Sequence, residues 1–382
     1  MNIDKYNDIR PYNDLETESA VKRIVQNPLV GELSDYFFNG DKGRLATILS
    51  DVRSVESFQK DVMSKIILAI IDDTTSGLTY SGLEDIGRGP KNMIISNHRD
   101  IILDSAFIQL VFFLNTLPTT QIAVGDNLIA NSFVEDIVRS NRMIKVIRNT
   151  TPREIYSSSK TLSEYMRECI TSGYSSIWIA QRNGRTKDGI DITEQGVLKM
   201  LDMSGSGNFA EDFDQLNILP MSISYQYEPC DFLKAREMYI TKRHKYIKQS
   251  GEDTASIITG VKQGKGGVHI HFNPVITRKQ LDNIAELNKN DRFKALGRTL
   301  DESIVSAYKL WNTNYIACDI INGSDNHKDH YSRDEKEAFI EYCNRGIEKM
   351  VKYDSELDNI DELKEIFYTI YANPIKNKQE LE

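Results

Sequence analysis

The sequence predicts an α/β fold, a mostly parallel sheet flanked by helices, with helical extensions at both ends. Two observations carry this. Six short apolar runs lie at 93–96, 121–124, 144–147, 176–180, 218–224 and 268–272. Amphipathic stretches at 105–114, 132–138, 152–170 and 253–263 fall between them. Strands that alternate with helices favour parallel pairing, and strands buried on both faces read as unbroken apolar runs.

The elements follow in order. Residues 1–89 read as helical: Val55, Phe58, Val62, Ile66 and Ile70 recur at three- and four-residue steps, one apolar helix face. Gly77, Gly82, Gly87, Gly89 and Pro90 then punctuate the chain and predict a loop over 76–90. The α/β core spans 90–275. Pro152 suits the first turn of its helix, where a missing N–H costs nothing. Pro220, inside a strand pattern, predicts an edge position or a bulge. Residues 276–382 read as helical and acidic, a region expected to be a solvated cap.

Composition excludes several classes. The 382 residues are 40% hydrophobic and 27% charged, which rules out a collagen-like fibre and a wholly disordered chain. The four cysteines form no CxxC pair, so neither a zinc ribbon nor a disulfide framework is expected. A net charge of −9 disfavours nucleic acid as a partner. The N-terminal residues lack a basic start followed by an apolar stretch, so no secretory signal is expected. The longest apolar region, 101–117, is broken by Asp104, Gln109 and Asn115 and is too short to span a bilayer.

Three segments follow predicted strands and could carry chemistry. The first is Asn97-His98-Arg99-Asp100, with Asp104 six residues beyond His98. A histidine at a strand's carboxyl end can take a proton from a hydroxyl if a carboxylate fixes its tautomer. Asp104 or Asp100 could be that carboxylate. The second is Arg182-Asn183-Gly184-Arg185-Thr186-Lys187, where glycine lets the backbone approach a ligand and arginine's fork matches phosphate oxygens. The third surrounds Arg148: from Arg139 to Arg167, seven basic residues face two acidic ones. Arginines beside a helix N-terminus favour an anion. His269 and His271 share a strand face, but no acid or cysteine lies nearby to complete a metal site.

In this order and spacing the segments resemble the glycerolipid acyltransferase family, which includes glycerol-3-phosphate and lysophosphatidate acyltransferases. The matching blocks are Asn97-His98 with Asp104, the strand ending at Arg148, Asn183-Gly184-Arg185, and the run ending at Pro220. A long bacterial subgroup, with an Asn-His-Arg-Asp-Ile stretch and a Gln-Arg-x-Gly-Arg-x-Lys-Asp-Gly loop, looks closest. The resemblance implies His98 as general base and Asp104 as its orienting partner. It implies Arg148, Arg185 and Lys187 as phosphate ligands, with Asn183 and Gly184 at the acceptor. An apolar groove would hold the acyl chain, with Phe107, Phe112 and Phe113 as its expected wall.

The implied reaction moves a fatty acyl group from acyl-CoA or acyl carrier protein to a hydroxyl, without an acyl-enzyme. The acceptor would be 1-acyl-glycerol-3-phosphate, then glycerol-3-phosphate, then an amino-acid-containing lyso-lipid. No cofactor and no metal are expected. The implied location is cytoplasmic, with peripheral association at the inner face of the membrane. Two features depart from the family: five residues rather than four separate His98 from Asp104, and Asn183 replaces a glutamate. The rival readings are a metal-dependent phosphohydrolase built on His98, Asp100, His269 and His271, and a non-catalytic lipid- or phosphate-binding protein.

Overall fold

The computed structural model describes residues 3–84, 86, 87, 89–148 and 151–381. Its centre is a seven-stranded sheet. The strands are β1 (Thr75–Ser81), β2 (Met93–Ser96), β3 (Gln121–Gly125), β4 (Met143–Val146), β5 (Ile177–Ala180), β6 (Ile218–Tyr225) and β7 (Gly266–Phe272), in spatial order β1-β7-β6-β2-β5-β3-β4. Every pairing is parallel except β6 with β7. The six expected apolar runs are β2 to β7. Every residue of β2 and β6 is buried, as their unbroken apolar sequence requires.

Two layers of helix cover the sheet. One face packs Ile95, Ile177 and Ile218 against Leu162, Met166, Leu198 and Leu300. The other packs Ile94, Trp178 and Met221 against Ile67, Phe107 and Phe112. A separate apolar cluster joins the helices Asp231–Thr241, Asn312–Asn322, Arg333–Tyr353 and Ile360–Leu381. No helix among the described residues is long and apolar enough to cross a membrane.

Four expectations change. The loop predicted over 76–90 contains β1, which pairs in register with β7. The strand therefore joins the sheet from ahead of residue 90. Pro220 lies on a central strand, between β2 and β7, not at a sheet edge. It is tolerated because regular pairing with β7 ends at Met221 and Phe272: Asn273, just beyond, donates its N–H to the Pro220 carbonyl at 3.0 Å, and the proline's missing N–H falls where the ladder has stopped. Phe107 and Phe112 are buried core residues, and Phe113 lines a separate hollow with Leu117 and Tyr174, so these rings form no groove at the candidate site. The acidic C-terminal region does more than cap the fold, as the contacts below show.

The helical face of Val55 to Ile70 is buried: Phe58, Val62 and Ile70 pack into two of the apolar clusters. It is not free to lie on a lipid surface.

Candidate active site

β2, β5, β3 and β4 run parallel, so their carboxyl ends share one edge of the sheet. The connections that follow them converge there, which is where open α/β sheets place ligands. A cleft of about 760 Å³ opens at that edge. Its lining includes His98 after β2, Leu128 after β3, Arg148 after β4, and Asn183, Gly184, Arg185 and Lys187 after β5. Six of the seven expected site residues thus meet in one cleft, and the seventh, Asp104, lies directly behind His98.

His98 Nδ1 is 2.9 Å from Asp104 Oδ2. The same oxygen accepts the backbone N–H of Arg99 at 2.7 Å and of Asp100 at 3.0 Å. Asp104 Oδ1 accepts the Tyr225 hydroxyl at 2.7 Å. A carboxylate that only accepts makes Nδ1 the donor, which leaves Nε2 as the basic ring nitrogen. Asp104 is fully buried, while the His98 side chain keeps 13% of its surface exposed. The five-residue spacer fits because Asp104 sits in the first turn of the helix Leu103–Leu114, which folds it back toward the strand end.

Asp100, the other candidate partner, is turned away. Its Oδ1 accepts the N–H groups of Ile102 and Leu103 and so caps that helix. Burial, then the neighbouring Asp104, raises its pKa above the usual carboxylate range. The residues of the phosphohydrolase reading do not assemble either. His269 and His271 bond to the hydroxyls of Thr79 and Ser81, and no group of three His, Cys, Asp or Glu among the described residues could hold a metal ion.

The loop after β5 is tied to the chain leaving β2 and to the chain leaving β4. Gln181 donates its N–H to Ser96 O at 2.8 Å, and Thr186 donates to His98 O at 2.9 Å. Gly184 takes a left-handed backbone, φ +77°, which turns the chain at the cleft. Arg148 Nη1 donates to Asn183 Oδ1 at 2.5 Å, and the Asn183 N–H donates to Glu194 Oε2 at 3.0 Å. Lys187 pairs with Glu237. Burial, then the nearby Arg185, lowers the Lys187 pKa, and Glu237 opposes that shift. Arg185 has a buried Nη1 with no hydrogen-bond partner among the described residues, a donor ready for an anion.

The far wall is apolar. Val124, Val146, Ile155, Leu162, Val197 and Met200 line the same cleft, a surface suited to an alkyl chain. Trp178 stands edge-on to His98 at 6.2 Å and donates its Nε1–H to Ser96 Oγ at 3.0 Å.

Beneath the site lies a buried ionic network. Arg99, 1% exposed, pairs with Asp191 and with Glu228. Lys234 donates to Glu228 at 2.5 Å and to the carbonyl of Arg99 at 2.8 Å. Asn97 donates to Asp191 at 3.1 Å. The network joins the His98 loop to the loop that carries Arg185.

Sequence reasoning missed Glu194, Glu237 and the bond from Tyr225. Glu194 restores a carboxylate beside the neutral Asn183, from eleven residues downstream. No motif marks it, because the pairing depends on how the loop folds back.

A family model described as Acyltransferase matches residues 77–224, which include β2, the His98–Asp104 pair and the loop after β5. No curated protein sequence gives a significant match. Among solved structures, the chain is similar to the 1-acyl-sn-glycerophosphate (LPA) acyltransferase PlsC of Thermotoga maritima. The identity is 13% and the TM-score 0.39, over 76% of this chain and 95% of that one. Residues 77–224 are thus an acyltransferase domain.

Proposed function

We propose that this acyltransferase moves a fatty acyl group from an acyl thioester to the free hydroxyl of 1-acyl-glycerol-3-phosphate, with His98 as general base. Glycerol-3-phosphate is the next acceptor in order. The donor is acyl-CoA or acyl carrier protein. The observation that carries this reading is the His98–Asp104 pair, open to a cleft that also holds Arg148, Arg185 and Lys187.

His98 Nε2 takes the acceptor's hydroxyl proton while Nδ1–H remains bonded to Asp104, whose charge stabilises the imidazolium. The acceptor oxygen bonds to the thioester carbonyl carbon. The C–S bond then breaks, and the departing sulfur takes the proton from Nε2. The histidine ends as it began, and no acyl-enzyme forms. Arg185, Arg148 and Lys187 hold the acceptor's phosphate, and Asn183 and Gly184 border it. The apolar wall from Val124 to Met200 receives the acyl chain. The lipid acceptor is reached by peripheral association with the cytoplasmic face of the membrane.

The test is acyl transfer by the purified protein, with both donors against both acceptors. Turnover that falls by about 100-fold or more in His98→Ala and in Asp104→Ala supports the reading. Turnover that survives His98→Ala refutes the assigned base. Tight lipid binding without turnover in the parent protein would favour a binding function instead.

A further inference from the structure

The carboxylate behind His98 accepts four hydrogen bonds, and three come from its own loop: the His98 ring and the N–H groups of Arg99 and Asp100. These three all reach Oδ2. The other oxygen, Oδ1, is served from elsewhere in the fold, by the Tyr225 hydroxyl at 2.7 Å. Tyr225 ends β6, 121 residues from Asp104, on the strand directly beside β2.

We propose that Tyr225 is a positioning residue for the base, its hydroxyl fixing the Asp104 carboxylate so that Oδ2 faces the His98 ring. This rests on the role of His98 proposed above.

The geometry makes the assignment specific. A carboxylate can rotate about its last bond, and that torsion is broad and soft. The loop's donors all pull on Oδ2, and because one torsion places both oxygens, a donor on Oδ1 holds the same torsion from the opposite side. Tyr225 supplies that second point of attachment. It is itself rigid: it is 1% exposed, lies in register with Val268, and packs its ring 6.3 Å from that of Phe107. It does not line the cleft and so acts through Asp104 alone. The bond also shares the carboxylate's charge, which reduces its pull on the imidazolium. The other charged groups near this chain of bonds are Asp100, Arg99, Arg185, Glu228, Lys234 and Lys265.

Tyr225→Phe removes the hydroxyl and keeps the ring. Two measurements test it. The first is the pH dependence of kcat and kcat/KM. The variant's kcat is expected to fall about ten-fold with KM for the acyl donor unchanged. The acid limb of kcat/KM is expected to move up by about half a pH unit, because a carboxylate that lacks one donor holds the imidazolium more tightly. The second is histidine-selective NMR titration of the parent and the variant, with the His98 signal identified by its loss in His98→Gln. His98 is expected to titrate at higher pH in the variant.

If kcat falls but neither the acid limb nor the His98 titration moves, Tyr225 is merely structural and the proposal is overturned. Unchanged kinetics and titration overturn it as well. The NMR reading needs no turnover, so a failure of the acyltransfer reading is seen separately. In that case the His98 titration still responds to Tyr225→Phe while activity is absent from the parent.

Discussion

At the scale of single residues, the site rests on charges that are buried and matched. Arg99 lies between His98 and Asp100 in sequence, yet its side chain faces away from the cleft residues and pairs with Asp191 and Glu228. Its ring neighbour is Tyr308, 4.8 Å from the guanidinium. Burying such a cation is costly unless carboxylates and a carbonyl surround it, and here Gly189 O completes the set at 3.2 Å. Arg99→Met removes the cation and leaves Asp191 uncompensated, because Lys234 bonds Glu228 instead. We expect a loss of about 3–5 kcal/mol in unfolding free energy, measured by denaturant titration. Adding Asp191→Asn should restore part of it. If the second change deepened the loss by its full single-mutant value, the two residues would not be coupled.

The pair His98–Asp104 was legible in the sequence because both residues sit at the two ends of one short loop. Asp104 was distinguishable from Asp100 only by structure: the choice depends on which carboxylate caps the helix and which turns back. Tyr225 directly follows the apolar run 218–224, and nothing in the sequence around it marks a role. Its partner lies 121 residues away, and no local pattern encodes a contact of that range.

At the scale of elements, the loop after β5 is held from outside the sheet. Asp191 donates its N–H to Asn377 Oδ1 at 2.8 Å, and Asn373 Nδ2 donates to Asp188 O at 2.7 Å. Both asparagines lie on the helix Ile360–Leu381. Gly189, between these ties, has φ +83°, and a Cβ there would stand 2.1 Å from Ile370 O. Only glycine allows this approach. Gly189→Ala therefore forces the loop and the helix apart. The left-handed backbone alone costs about 1–2 kcal/mol, and the contact adds to it. The expected outcome is a lower thermal midpoint together with a raised KM for the acceptor, since Arg185 and Lys187 ride on the same loop. A raised KM with no change in stability would contradict this account.

Elements also show where sequence patterns fail. β2 to β7 were readable because each is a compact apolar run between turn signals. β1 was not: Thr75–Ser81 carries a glycine and five polar or hydroxyl-bearing residues, and none of its side chains is fully buried. It is a strand because β7 offers it an edge in register, and a long-range partner overrides weak local preference.

At the scale of the whole molecule, acids held in neutral form link stability to pH. Burial raises Asp301 from 3.8 to about 6. Its Oδ1 accepts both the N–H and the hydroxyl of Thr193. Between those two pKa values the folded chain keeps a proton that the unfolded chain has released. The stability from this group is therefore complete below about pH 3.8 and is lost as the pH rises through about 6. The loss amounts to about 2–3 kcal/mol by neutral pH. Asp301→Asn keeps the accepting oxygen and cannot ionise. Its unfolding free energy, relative to the parent, should improve by about that amount between pH 4 and pH 7. An equal pH dependence in the two proteins would show that Asp301 titrates normally.

The ties from Asn373 and Asn377 have a consequence for how the protein comes into being. Asp191 and Asn377 are 186 residues apart in the chain. A ribosome adding about 5–20 residues per second needs roughly 10–40 s to travel that far. For that interval the nascent chain already carries His98, Asp104, Arg148, Arg185 and Lys187, yet the loop bearing the last two has no helix to rest on. The His98–Asp104 pair is thus made early, and the loop that carries Arg185 and Lys187 is locked late.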